Sequence, residues 1–276
     1  MTGSVISIQS QVVHGHVGNS AAVFPMQVNG LLVAAVPTVL LSNNPHYETL
    51  RGQVLDASLV ADLLTGVEER GLVETSRYIF SGYLGSAANG AVVADFVRQA
   101  RQRNPGIEYI CDPVMGDAHT GTFVPDTVVE CITSSLAPMA DILTPNLFEV
   151  SLLTGGIPRD VDDLHRAIQI LPRRDGARIV VTSCLFADTP PDCLENIVFE
   201  PAGVTRLPSP RLPIVPAGTG DLFTGLLASS LSGGNDLVSS TRSAASAVTR
   251  VLRRTIAAGT REMQLSVADL QVIGRP

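Results

Sequence analysis

The chain has 276 residues, 45% of them hydrophobic and only 16% charged, with a net charge of −7; this supports a sizeable core of Val, Leu, Ile and Ala and argues against a nucleic-acid footprint. All 19 basic residues are Arg, which excludes a Walker A P-loop, a protein kinase and any enzyme that holds pyridoxal phosphate as a Schiff base, since each needs a Lys. Any phosphate bound here must meet backbone amides, Arg, hydroxyls and a metal.

In chain order, short β-branched runs alternate with amphipathic stretches. Residues 5–8 predict a strand that ends at Ser10. A helix over 19–29 follows, closed by Gly30, and then a second apolar run over 31–36. Asp56 caps a helix whose apolar positions Leu59, Leu63 and Val67 recur at helical spacing, stopped by Gly71. A strand over 78–80 runs into Ser81-Gly82-Tyr83. Val92, Val93, Phe96, Val97 and Ala100 make the next helical face. A strand over 107–111 ends at Asp112-Pro113. Residues 128–136 read as helix, 142–143 as a short strand, and Asn146 opens another helix. Asp160 caps a helix to about 171, and a strand over 179–181 ends at Thr182-Ser183. Residues 197–199 and 204–207 suggest a hairpin across Pro201-Ala202-Gly203. Helices over 222–231 and 238–257 complete the chain. This alternation predicts an α/β domain with a mainly parallel sheet, whose ligands bind beyond the carboxyl ends of the strands.

Cys111, Cys131, Cys184 and Cys193 form no C-x-x-C pair and read as reduced thiols. The N-terminus has no secretory pattern, and the longest apolar run, 31–41, is too short for a membrane span and contains Pro37. The expectation is a soluble, cytoplasmic protein with no membrane partner.

The residues that could carry chemistry cluster in the loops. Gly218-Thr219-Gly220-Asp221 precedes an apolar helix. Two glycines turn the backbone so that successive N–H groups point one way, and the helix adds the positive end of its dipole. That suits a phosphate, with Asp221 placed to take a proton from a bound hydroxyl; an ordinary Asp N-cap after a glycine-rich turn is the alternative. Asn146 and Glu149 stand at i and i+3 of a first turn and share a face. Glu149 then either holds Mg²⁺, directly or through water, or simply stabilises a helix N-terminus. Asp112 lies at a strand's carboxyl end, as a site acid or a turn acid before Pro113. Thr182 and Ser183 offer hydroxyls at another strand end. His14-Gly15-His16 lacks a nearby third ligand and reads as loop histidines. Tyr83, among small residues, either stacks on a flat heterocycle or packs its own loop.

Together these segments resemble the pyridoxal kinases of the ribokinase-like superfamily. The resemblance is carried by Ser7-Ile8-Gln9-Ser10, by Gly15-His16-Val17-Gly18-Asn19-Ser20-Ala21-Ala22 with Phe24-Pro25, and by Ser81-Gly82-Tyr83-Leu84-Gly85. It continues through Cys111-Asp112-Pro113-Val114-Met115-Gly116-Asp117, Thr144-Pro145-Asn146 with Glu149, Val181-Thr182-Ser183, and Gly218-Thr219-Gly220-Asp221. The G-T-G-D and N-x-x-E elements belong to the whole superfamily, and the N-terminal segment, S-G-Y-L-G and C-D-P-V-M-G-D to its vitamin B6 kinases.

The resemblance implies a three-layer ribokinase-like α/β sandwich with helices on both faces of the sheet, one domain over 1–276, and a homodimer. It implies Asp221 as general base for the 5′-hydroxymethyl group of pyridoxal, with Gly218, Thr219 and Gly220 as the anion hole for the phosphoryl of ATP. Asp112 and Glu149 would organise Mg²⁺ and the nucleotide phosphates beside Asn146, with Thr144, Thr182 and Ser183 on the phosphates. Ser10, Val17 and Tyr83 would meet the vitamin, and K⁺ is a further expected ion. One departure stands out. The family pattern Ser-Asn-His-Thr-x-Tyr reads here Ser42-Asn43-Asn44-Pro45-His46-Tyr47, so Pro45 replaces a hydroxyl and offers no N–H, leaving His46 to supply that contact. Residues 42–54 would close over the substrate. Likewise Phe123 stands where some relatives carry Tyr. The rival readings are a hydroxymethylpyrimidine kinase of the same superfamily and a non-catalytic pyridoxal-binding protein.

Overall fold

The computed structural model describes residues 3–273. Strand β1 (Ser4–Val12) leads into α1 (Asn19–Val28), then β2 (Leu32–Leu41) and β3 (Gly52–Val54). Helix α2 (Ala57–Glu69) and the short α3 (Leu72–Thr75) precede β4 (Ser76–Ser81); α4 (Ala87–Arg103) precedes β5 (Glu108–Cys111). A small hairpin of β6 (Gly116–Asp117) and β7 (Gly121–Thr122) is followed by α5 (Asp126–Cys131), β8 (Ile142–Leu143), α6 (Leu147–Thr154) and α7 (Val161–Ile170). Then come β9 (Arg178–Cys184), β10 (Cys193–Glu200), β11 (Gly203–Pro210), α8 (Thr219–Ser232), α9 (Leu237–Ala258) and α10 (Val267–Leu270).

The main sheet has nine strands in the order β11-β10-β9-β8-β5-β4-β1-β2-β3. The six from β9 to β2 pair in parallel, and antiparallel β3 and the β10–β11 hairpin flank them. Buried on both faces, the central strands read as continuous apolar runs rather than alternating ones. Successive residues still point to opposite sides. Ile6 and Ile8 join a core that takes Val60 and Leu64 of α2, Val93 and Val97 of α4 and Leu164 of α7. Val5 joins the other core, with Ala22 and Met26 of α1, Leu226 and Leu227 of α8 and Val251 of α9. Helices therefore cover both faces, as the resemblance implies.

Three local readings need correction. On α2, Leu59 and Leu63 are 46% and 38% exposed, whereas Val60, Leu64 and Val67 are buried. Both sets have helical spacing, and packing against β2 and α4 selects the second. Gly71 stops α2 as expected, in a left-handed conformation with its amide donating to the Glu68 carbonyl, and also caps the start of α3. The expected helix over 128–136 becomes a π turn at Ile132–Leu136 and meets Pro138, whose missing N–H ends the regular ladder. Strand β1 does not end at Ser10. It shifts register between Gln9 and Gln11, beside Pro37 of β2, and continues to Val12.

One contact sets the height of the site. A β-carbon on Gly225 would lie 2.9 Å from the carbonyl oxygen of Ala22 and 3.0 Å from its Cα. The bare glycine lets α8 lie directly on α1.

Candidate active site

Six parallel strands deliver their carboxyl ends to one edge of the sheet, and the residues singled out in the sequence lie there. Ser10 is near the end of β1, Asp112 follows β5, Thr144 follows β8, and Thr182 and Ser183 close β9. Two helices begin at the same edge on glycine. Gly18 caps α1 with φ 55°, and a β-carbon there would lie 2.1 Å from the Ser10 carbonyl oxygen. Gly218 caps α8 with φ 84°, and a β-carbon there would lie 1.8 Å from the His16 carbonyl oxygen. Both positions demand glycine for conformation and for space.

Asp221 sits in the first turn of α8, where backbone N–H groups have no partner within the helix. Burial pushes its carboxyl up to about 6, while the Gly18 amide donates toward it and pulls the other way. One turn deeper, the Thr224 hydroxyl donates to Asp112 Oδ2 at 3.1 Å, and the hydroxyls of Thr224 and Thr144 are 3.3 Å apart. Asp112 is buried, and its carboxyl is raised by that burial and then by the negative charge of Asp221. The hydroxyls of Thr224 and Thr144 act in the opposite direction.

Glu149 forms the third carboxylate of the group. Asn146 Oδ1 accepts from the Glu149 amide at 2.9 Å, and the Asn146 amide donates to Glu149 Oε2 at 2.8 Å, which makes a reciprocal cap on α6. The Met115 amide donates to Glu149 Oε1 at 3.1 Å, and Asn146 Nδ2 donates to the Gly116 carbonyl at 2.9 Å. The segment 112–117 is thereby tied to α6. Burial raises the Glu149 carboxyl well above the ordinary range, and the charge of Asp112 adds to the rise. Two buried carboxylates, each raised by burial and by a neighbouring negative charge, present an environment that a cation would neutralise.

Thr182 bridges to Asn146 and donates its amide to the Pro145 carbonyl at 2.9 Å. Ser183 is exposed with φ 55°, a conformation rare for a residue with a side chain. Asp112, Thr144 and Thr224 thus form one bonded group on the helix of Asp221, and Asn146, Glu149 and Thr182 form a second, tied to the 112–117 segment through Met115 and Gly116. Ser10 is buried beneath Gly18, and Val17 is half-buried beside it. Tyr83 is half-buried, its ring centroid 6.4 Å from that of Phe123, and its carbonyl accepts from Thr38 Oγ1 at 2.7 Å. Pro45 and His46 are not drawn into this cluster. Both are exposed, and the bonds of His46 among the described residues run through its backbone, from its amide to Asn44 Oδ1 at 3.0 Å and from Arg261 to its carbonyl.

Several contributors lay outside the sequence reading. Thr224 is one turn beyond Asp221, so helical spacing was a usable signal for it. Below Ser10, Gln9 Nε2 donates to Ser7 Oγ at 3.0 Å, Ser7 Oγ to Asn19 Oδ1 at 2.8 Å, and Asn19 Nδ2 to the Gln9 carbonyl at 3.1 Å. This closed network of buried side chains fixes the end of β1 against the start of α1. Glu262 also reaches the site loops, and no local pattern marks it.

Comparison with known proteins matches this geometry to a family. The model for phosphomethylpyrimidine kinase matches residues 18–266. A pyridoxal kinase, PdxY, of Granulibacter bethesdensis is 39% identical over 272 residues, covering 97% of this chain and 95% of the relative. A pyridoxine/pyridoxal/pyridoxamine kinase of Bordetella avium is 40% identical over 233 residues, 84% of this chain and 79% of the relative. Among solved structures, the pyridoxal kinase of Leishmania donovani in complex with ADP and ginkgotoxin superposes with a TM-score of 0.87 at 28% identity, covering 98% of this chain and 95% of that one. With the fold, the capped carboxylates and the glycine-started helices all in place, the chain belongs to the phosphomethylpyrimidine kinase family and, within it, to the pyridoxal kinases.

Proposed function

We propose that the chain transfers the γ-phosphoryl group of ATP to the 5′-hydroxymethyl oxygen of pyridoxal, giving ADP and pyridoxal 5′-phosphate, with pyridoxine and pyridoxamine as further acceptors. The observation that carries this reading is the position of Asp221. Its carboxylate stands in the first turn of a helix whose free amides face the same edge, beside a second helix start at Gly18. A base and an anion hole in one turn suit an alcohol that attacks a phosphorus held by those amides.

The roles follow from chemistry. As the hydroxymethyl oxygen forms its bond to the γ-phosphorus, the bond from phosphorus to the ADP oxygen breaks and the alcohol proton passes to Asp221. A carboxyl held at about 6 is ionised at neutral pH yet more basic than an ordinary aspartate. The amides of Gly218, Thr219 and Gly220 hold the charge on the transferring group. Thr144, Asn146, Thr182 and Ser183 hold the other phosphates. Ser10 meets the polar edge of the pyridine ring, Val17 and Tyr83 flank the ring, and the Pro45–His46 turn lies over it.

Asp112 and Glu149 are the residues that would hold Mg²⁺. Among the described residues no three His, Cys, Asp or Glu side chains converge on one point. A carboxylate pair fits an ion that keeps its waters and is shared with substrate phosphates. When bound, Mg²⁺ supplies charge neutralisation at the phosphate oxygens. We further read residues 1–276 as one kinase domain that works as a homodimer in the cytoplasm, with K⁺ as an additional ion. Among the described residues no helix is long and apolar enough to cross a membrane.

Because the matched family model is described as phosphomethylpyrimidine kinase, hydroxymethylpyrimidine is the second acceptor to assay. A coupled ADP-release assay with pyridoxal, pyridoxine, pyridoxamine and hydroxymethylpyrimidine tests the proposal. The expected result is the highest kcat/KM on a B6 alcohol. A preference for the pyrimidine would reassign the substrate, and ligand binding with no ADP release would reduce the chain to a binding protein.

A further inference from the structure

Glu262 lies more than two hundred residues from the loops it touches. Its Oε1 accepts from Asn44 Nδ2 at 2.8 Å and from the Tyr47 hydroxyl at 2.8 Å, and its Oε2 accepts from the His16 amide at 3.3 Å. One carboxylate therefore gathers the loop between β1 and α1, which carries Val17, and the loop between β2 and β3, which carries Pro45 and His46. All three donors are neutral, and none of the salt bridges among the described residues includes Glu262. A charged acceptor makes stronger hydrogen bonds to such donors than a neutral one.

The base of this carboxylate is fixed. Met263 is fully buried, and the Gln264 amide donates to Thr255 Oγ1 of α9 at 2.9 Å. The tip of the loop it grips is exposed at Pro45, His46, Glu48, Thr49 and Leu50. The neighbouring Arg261 stacks its guanidinium 4.9 Å from the centre of the Tyr47 ring and donates to the His46 carbonyl. His14 meets the same ring edge-on at 5.9 Å. A cavity of about 160 Å³ lies between the two sides, lined by Asn44, His46, Val215, Pro216, Ala217 and Glu262. Its far wall, 215–217, leads directly into Gly218. Glu262 and the segment that leads into Gly218 thus line one cavity.

We propose that Glu262 is a positioning residue for the acceptor alcohol: through Asn44, Tyr47 and the His16 amide it holds the two acceptor loops at a fixed distance from the 215–218 segment. This inference rests on the kinase reading above. Glu262 touches neither reacting atom, so its loss loosens acceptor binding and spares phosphoryl transfer once the acceptor is bound.

Steady-state kinetics of Glu262→Ala, Glu262→Gln, Tyr47→Phe and the Glu262→Ala/Tyr47→Phe double variant test it, each with a melting curve. For Glu262→Ala the expected result is a KM for pyridoxal raised about tenfold or more, kcat within about threefold of wild type, and a KM for ATP within about twofold. Tyr47→Phe should raise the pyridoxal KM less and add little in the double variant, because both act through one contact. Glu262→Gln, which keeps the size and one acceptor, should fall between wild type and alanine. If Glu262→Ala fails to fold, Glu262→Gln and Tyr47→Phe carry the same reading at full stability. Equal rises in the two KM values, an unchanged pyridoxal KM, or additive effects would overturn the inference. Absence of pyridoxal phosphorylation by the wild-type protein would instead overturn the kinase reading itself.

Discussion

Gly218 and His16 stand so close that a β-carbon on the glycine would come within 1.8 Å of the histidine carbonyl oxygen. The backbone at Gly218 also has φ 84°. Gly218→Ala therefore meets both a collision with backbone and a left-handed conformation, together a loss of about 2 kcal/mol or more. Gly18→Ala faces the same pair of problems against Ser10. Gly220 has nothing within 4 Å of the corresponding point. Gly220→Ala should melt within a few degrees of wild type, whereas the other two melt lower and lose turnover; differential scanning fluorimetry beside the kinase assay separates them.

Asp221→Asn removes the proton acceptor but keeps the side chain's shape. Turnover should fall by about 10²–10⁴, the usual worth of a general base. Pyridoxal binding, followed by calorimetry, should change by less than tenfold. Turnover close to wild type would remove Asp221 from the role assigned to it.

The pH dependence follows from the same residue. Its carboxyl titrates at about 6, so kcat/KM should fall as pH drops through 6, and the Asn variant should lack that limb. Stability moves the other way. Because the folded value lies above the unfolded one, the ionised group destabilises the fold at every pH above 6. That penalty fades as pH falls from 6 toward 4 and is gone below both values. At pH 8 Asp221→Asn should accordingly melt higher than wild type, by an amount that corresponds to at most about 3 kcal/mol. Thermal melts at pH 8 and pH 4.5 check both signs.

Asn146 holds Glu149 through both halves of their reciprocal cap. Asn146→Ala should cost about 1 kcal/mol of stability, as caps do. It keeps the backbone amide that donates to Glu149 Oε2 but removes Oδ1 from the Glu149 amide and Nδ2 from the Gly116 carbonyl, which loosens the turn that aims the carboxylate, so the Mg²⁺ concentration for half-maximal rate should rise several-fold. A magnesium titration of the rate at saturating ATP and pyridoxal reads this directly. An unchanged midpoint would separate Glu149 from the metal.

Addition of a chelator in excess over Mg²⁺ should abolish ADP release, and added Mg²⁺ should restore it without refolding. Far-UV circular dichroism should not change across the cycle, because the carboxylate pair is already held by amides and hydroxyls.

Much of the site was legible because it lies in short, local patterns. Gly218 to Asp221 and Asn146 to Glu149 each occupy one helical turn, so spacing alone places their groups together. The alternation of strands and helices located the edge to which Asp112, Thr144 and Thr182 are delivered. What stayed hidden depends on distance in the chain or on a choice between equal alternatives. Nothing near Glu262 announces that it will meet Asn44 and Tyr47. Leu59 and Val60 both fit a helical stripe, and the neighbouring strand decided between them. The continuation of β1 beyond Ser10 depends on pairing with a strand that begins twenty residues later.

The seam between Ala22 and Gly225 gives the first turns of α1 and α8 a common mechanical reference. Any bulk added at Gly225 wedges the two rods apart about one turn below Asp221. The aim of the carboxylate proposed as base is therefore adjustable from inside the protein, and a single methyl at that buried seam would tilt it as a shim tilts a lens.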